Sequence, residues 1–197
     1  MIKNPIQEVT NKLQYRAIGI VNGIYNPNDQ TQLNRGTLTD NEGKEIETVV
    51  LGKAISLIKK YVDLKKSYYW IVYPKNKNTQ NLHLQITGIW DPFDFNDETK
   101  INSKKDTSAL LQELNLTDNY FSIRGELIFV NTKKKELVIK IFTSKPKNNN
   151  NKSFKLVVEG EISSEILNSF VSLDVVREDR ILRMVRYEVI EKLSSKK

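Results

Sequence analysis

The sequence predicts an all-β protein with minor α content: two tandem five-stranded β-barrels, each with one short helix between its third and fourth strands. Three observations carry this reading. Short β-branched and aromatic runs are separated by turn residues, which is strand patterning. One element order, β-β-β-α-β-β, can be read twice along the 197 residues. Landmarks also recur at a nearly constant offset: Gly19 with Gly125, and Thr48-Val-Val-Leu-Gly52 with Leu156-Val-Val-Glu-Gly160.

In the first half, Tyr15 to Tyr25 reads as a strand interrupted by glycine, and Asn26–Asp29 as a turn, because proline fixes φ and Asn/Asp favour turn conformations. Leu33 to Thr39 forms a second strand. Asp40-Asn41-Glu42-Gly43 is a hairpin-type turn, and Ile46 to Leu51 a third strand with β-branched residues at its centre. Gly52 ends that strand. From Lys53 to Val62, Ala54, Ile55, Leu57, Ile58, Tyr61 and Val62 recur at helical spacing with lysines between them, which predicts one short amphipathic helix. Tyr68 to Tyr73 and Leu82 to Trp90 close the half as a strand pair joined by the polar loop Pro74 to Asn81.

The second half starts at Tyr120 with a strand to Val130, the turn Asn131 to Lys134, and a strand from Lys135 to Thr143. A loop from Ser144 to Lys152 holds the polyasparagine tract Asn148 to Asn151, too polar to pack. Strands follow at Ser153 to Gly160, Phe170 to Arg177 and Ile181 to Ile190, with a helical segment near Ser163 to Asn168. Between the halves lies a stretch rich in Asp, Asn, Lys and Thr. Within it Ser108-Ala-Leu-Leu-Gln-Glu-Leu114 can form a docked helical turn or two, capped by Thr107 or Ser108. The expected division is a first barrel over 1–95, a linker over 96–118 and a second barrel over 119–193.

Five strands with a helix between the third and fourth, and glycine inside a first strand that must bend, are features of the OB-fold. The chain resembles a tandem OB-fold protein over nearly its whole length. That resemblance implies oligonucleotide binding through strands 2 and 3 and through the loops joining strands 1–2 and 4–5. Arg16-Ala-Ile-Gly, Arg35-Gly-Thr-Leu, Val50-Leu-Gly-Lys and Trp70-Ile-Val-Tyr-Pro74 are also similar to a cyanobacterial family of small conserved proteins, a likeness that implies no activity.

Composition narrows the chemistry. The absence of cysteine excludes disulfides, thiol nucleophiles and Cys-based zinc sites, and a single histidine, His83, leaves no His pair. Flanked by Leu82 and Leu84 in a strand, His83 is expected to face outward. Glycines 19 and 23 lack the third glycine and helix start of a dinucleotide site. Acidic pairs such as Asp40/Glu42 and Asp91/Asp94 fall in turns and linker, where carboxylates are ordinarily solvated. No enzyme, cofactor, metal or small-molecule substrate is expected. Neither a membrane-spanning run nor a secretory or transit signal is evident, so the expected location is cytoplasmic.

Charge is the stronger signal. Residues 133 to 155 hold eight lysines (Lys133, Lys134, Lys135, Lys140, Lys145, Lys147, Lys152 and Lys155) against one acid, Glu136, an excess equal to the whole chain's net +7. Alternation puts Leu137, Ile139 and Ile141 in the core and Val138, Lys140 and Phe142 outside. The same reasoning buries Phe121, Ile123, Leu127 and Phe129 and turns Arg124 outward. The expected site is therefore these lysines holding phosphates, with Phe142 and Arg124 touching bases, on single-stranded or structured nucleic acid, RNA ahead of DNA. A lysine-protected strand edge and an acidic protein partner are the alternatives for the same cluster. The first half, with 12 basic and 9 acidic residues through Phe95, is balanced but aromatic. Its strand 68–73 has apolar residues on both faces, so Tyr68, Trp70 and Tyr73 are either packed internally or form a surface for bases or a protein partner.

Overall fold

Strands form where the sequence alternates, but they run beyond their apolar centres. The computed structural model describes residues 3–77, 81–92, 107–143 and 152–193. The chain divides into two compact units. One comprises Met1–Gln7, Gly19–Tyr73 and Leu84–Tyr120; the other comprises Glu8–Ile18, Pro74–His83 and Phe121–Lys197.

The first unit is built on β1 (Arg16–Asp29), β2 (Gln32–Asp40), β3 (Glu45–Val50), α1 (Gly52–Tyr61), β4 (Tyr68–Lys77) and β5 (Asn81–Trp90). Antiparallel β1–β2, β2–β3 and β1–β4 pairs combine with a parallel β3–β5 pair and the adjacency of β5 and β4 to close a five-stranded barrel. A parallel pair needs a crossover, and α1 lies in that connection. The expected turn at Asn26–Asp29 is instead strand: Asn26 faces Thr37 and Pro27 faces Gly36, with the register shifting between Pro27 and Asp29. Proline has no N–H to give a ladder, and a bulge is where a strand tolerates it. Likewise β4 continues through Pro74 to Lys77, where a polar loop was expected.

Trp70 fills the centre of this barrel with no exposed surface, and its indole N–H donates to the Gly23 carbonyl at 2.9 Å. Tyr25 packs edge-on against it and donates to the Leu33 carbonyl at 2.9 Å. Burial pushes the Tyr25 hydroxyl up to about 12. Ala54 and Ile58 are the buried residues of α1, while Lys59 and Lys60 occupy its last turn, where cations suit the helix dipole. The short helix α2 (Thr107–Glu113) buries Leu110 and Leu111 within the same unit.

The second unit holds β6 (Tyr120–Asn131), β7 (Glu136–Phe142), β8 (Ser153–Glu159), a 3-10 turn (Ser164–Ile166), β9 (Ser169–Glu178) and β10 (Ile181–Lys192). Its ladder runs β6-β7-β8-β10-β9, and β6 also pairs with β9. Leu137, Ile139 and Ile141 are buried, as alternation requires. Phe121, Ile123 and Leu127 are buried too, but Phe129 is 43% exposed. The reason is a bulge: Leu127 faces Ile139 while Phe129 faces Val138, so one extra residue reverses the alternation beyond Leu127.

The repeat also aligns differently from its sequence landmarks. At Gly125 a Cβ would meet the Lys140 carbonyl oxygen at 2.5 Å, in the neighbouring strand β7. The counterpart is Gly23, where a Cβ would collide with the Thr39 carbonyl of β2. Gly23 of β1 and Gly36 of β2, where a Cβ would collide with the Asn26 carbonyl, are therefore glycines at which the first two strands of the first barrel close in.

Candidate nucleic-acid interface

The lysine cluster begins in the β6–β7 turn. Asn131 shapes it, its side-chain oxygen accepting from the Lys134 backbone N–H at 3.1 Å, and Lys135 takes a left-handed φ of 51°. Lys133, Lys134 and Lys135 are all exposed. Lys135 is not an unpaired cation: its ammonium lies 2.6 Å from Glu161, which raises the lysine pKa and lowers its own.

Opposite this turn is the β9–β10 turn, where Asp179 has φ 53° and Arg180 is exposed. The two turns flank a cleft of about 190 Å³ with Lys134, Lys135 and Arg180 on its walls and Val157 and Leu182 beneath them. Glu136 and Glu159 also line it, so its charge is mixed. Asn76 lines the cleft and accepts from the Val157 backbone N–H at 3.0 Å.

On the outer face of β7 and β8, Lys140 stands directly across from Lys155 and Phe142 across from Ser153. Like charges in such a pair repel, and an anion between them relieves the repulsion. Lys140 has partial compensation: its ammonium is 3.9 Å from Glu126 and 4.5 Å from the centre of the Phe142 ring. Lys155 and Lys152 are exposed. Lys145 and Lys147 lie outside the described residues.

Two aromatic or basic contacts differ from expectation. Phe142 lies on the outer side of β7 but is half-covered, because Tyr15 packs edge-on against it with ring centres 5.1 Å apart. Tyr15 in turn donates to Glu126 at 2.6 Å, and burial followed by that carboxylate raises its pKa. Arg124 is not outward at all. Only 7% exposed, it donates to the backbone carbonyls of Lys12 at 2.7 Å and Gln14 at 3.4 Å. The segment Glu8–Ile18 covers that face of β6, which strand alternation alone does not foresee. In the first unit, Trp70 is interior, Tyr68 is half-buried and packs edge-on against Trp70, and Tyr73 is 36% exposed. The expected partner surface of Tyr68, Trp70 and Tyr73 thus loses its central residue to the core. His83 lies between the buried Leu82 and Leu84, as expected, but is half-buried rather than fully exposed.

Sequence reasoning left Arg180 and Asn76 out of the site. Arg180 was legible as the basic residue of a tight strand-strand turn; Asn76 was hidden by the reading of Pro74 to Asn81 as loop. Lys75 was missed for the same reason: its ammonium sits 3.0 Å from the centre of the Phe154 ring, and burial pulls its pKa down to about 8 against the ring's attraction. Among the described residues, no cluster of His, Asp or Glu could hold a metal, and no helix is long and apolar enough to cross a membrane.

A closed barrel with strand order 1-2-3-5-4 and a second domain of the same type define a tandem OB-fold protein of a cyanobacterial family. Residues 17–97 match the family described as the PatR RNA-binding protein, N-terminal OB-fold domain. Residues 123–191 match the cyanobacterial OB-fold-like RNA-binding domain, C-terminal. No curated protein matches the chain.

Proposed function

We propose that this protein is a non-enzymatic RNA-binding protein working in the cytoplasm, and that residues 119–193 form a second five-stranded barrel that carries the RNA contact. The observation that supports this most is convergence. Cations from the β6–β7 and β9–β10 turns flank one cleft beside the Lys140/Lys155 pair, on the strands and loops that OB-folds use for oligonucleotides. Lys133, Lys134, Lys152, Lys155 and Arg180 meet phosphates, joined by Lys140 once an anion competes with Glu126. Lys145 and Lys147 belong to the same basic stretch of sequence. The accessible part of Phe142 offers a stacking face to one base. Arg124 holds the strap formed by Glu8–Ile18 and contacts no base.

Anisotropy of a labelled single-stranded RNA, titrated at several salt concentrations, tests this. If those six cations each meet a phosphate, log K falls against log salt with a slope of about −4, and Lys155→Ala makes it shallower by about 0.7. A DNA oligomer of the same sequence binds more weakly. Absence of RNA binding at low salt refutes the proposal. Binding that Lys140→Glu and Lys155→Glu leave intact refutes this location for the site.

A further inference from the structure

Strand β10 has more edge than the second unit uses. It pairs with β9 from Ile181 to Lys192, whereas its other edge meets β8 only at Arg183. Beyond that point, among the described residues, no strand lies along this edge. Accessible apolar side chains accompany the open backbone: Val185 is 67% exposed, Tyr187 41% and Val189 41%. An open edge with accessible apolar residues invites another strand, and proteins commonly protect or cover such edges.

The sequence of this edge specifies what covers it. Bulges between Met184 and Arg186 and between Val189 and Glu191 isolate the regular run from Arg186 to Val189. When a strand pairs antiparallel with its own two-fold copy, residues at equal distances from the centre face each other. Centred on Tyr187, the run sets Arg186 against Glu188 of the second copy and tyrosine against tyrosine, and the first bulge leaves Val185 outside the ladder. Moving the centre by one residue sets Arg186 against Arg186 or Glu188 against Glu188, a repulsion at the axis itself. Of these registers, only the one on Tyr187 pairs opposite charges and puts no like charges at the axis. Arg186 already contacts Asp174 at 2.6 Å, yet its side chain is 79% exposed and a guanidinium has five N–H donors to share.

We propose that β10 is a homodimerisation edge: a second copy of this chain docks antiparallel on it, with the two-fold axis at Tyr187. The flanking bulges stop the pairing after a few residues, so the contact closes as a dimer and does not extend. An interface this short falls below the roughly 1,200 Å² of stable complexes, so the dimer is weak and dissociates on dilution.

Sedimentation velocity of the full chain, from about 1 to about 300 µM, reads the monomer–dimer balance by mass action. The expected result is a concentration-dependent dimer that Glu188→Arg abolishes, because it places two arginine–arginine contacts in each dimer. The double variant Arg186→Glu/Glu188→Arg restores the dimer. Because the chain has no cysteine, Tyr187→Cys gives a clean second readout. Under mild oxidation it forms a disulfide-linked dimer, and Glu42→Cys, in the exposed β2–β3 turn, does not. Circular dichroism of each variant checks that it is folded. A wild-type chain that stays monomeric throughout, or a dimer indifferent to Glu188→Arg, overturns the proposal. So does a dimer that Tyr187→Cys fails to cross-link.

Discussion

Replacing Gly125 with alanine adds one methyl group where β6 and β7 come closest. Its Cβ would sit 2.5 Å from the Lys140 carbonyl oxygen, 2.9 Å from Ile139 Cγ2 and 3.1 Å from Ile141 Cγ1. The first of these neighbours is backbone, in a strand paired on both sides, so it cannot swing aside as a side chain can. Overpacking of this kind costs about 3 kcal/mol. Alanine's smaller unfolded-state entropy returns about 0.5 kcal/mol, leaving a net loss of about 2.5 kcal/mol. For a unit of this size, that lowers its melting temperature by about 10 to 20 °C. The assay uses a convenience of the sequence. Both tryptophans, Trp70 and Trp90, belong to the first unit, so their fluorescence follows its unfolding while far-ultraviolet circular dichroism follows both units. Gly125→Ala should shift the dichroism transition. Gly23→Ala, facing the Thr39 carbonyl, should shift the fluorescence transition. Gly52→Ala is the control, because a Cβ there meets nothing within 4 Å. A Gly125→Ala protein whose dichroism midpoint matches wild type to within about 3 °C would refute the close-approach argument.

Arg124→Met keeps side-chain volume but leaves the Lys12 and Gln14 carbonyls without their donor. A loss of about 2 kcal/mol is expected, with faster hydrogen exchange across Glu8–Ile18 and RNA affinity unchanged apart from that loss. A drop in affinity with stability intact would restore Arg124 as a contact residue. Lys75 predicts a pH effect. Its folded pKa is lowered to about 8 from the 10.5 of a free lysine, so between those values the unfolded chain binds more protons than the folded one. Stability therefore rises with pH across that window and flattens below it. Urea melts at pH 7, 8.5 and 10 should show this rise in wild type and a smaller one in Lys75→Met.

Much of the architecture was legible because single-unit signals dominate it. Alternation in Leu137 to Phe142 fixes which face is core, and Asp40 to Gly43 forms the expected turn, with Gly43 at φ 77° and the Asp40 carboxylate accepting from the Glu42 and Lys44 backbone N–H groups. What sequence reading missed depends on distant partners. Arg124 is turned from a surface cation into a buried one by residues more than a hundred positions earlier. Phe129 is expelled by a bulge that no residue type announces. The prolines at 27 and 74 looked like loop formers and are strand residues; at Pro27 the neighbouring register shift removes the need for the missing N–H.

The strap Glu8–Ile18 has a consequence for how the molecule folds. Its carbonyls that accept from Arg124, and the contacts of Tyr15 with Glu126, Phe142 and Phe170, all join residues more than a hundred positions apart in the chain. Contacts of such separation carry a high loop-closure cost and are rewarded only once β6, β7 and β9 are in place. The strap is thus a late fastening on its unit, and a chain cut between the strap and β6 leaves it with none of these partners.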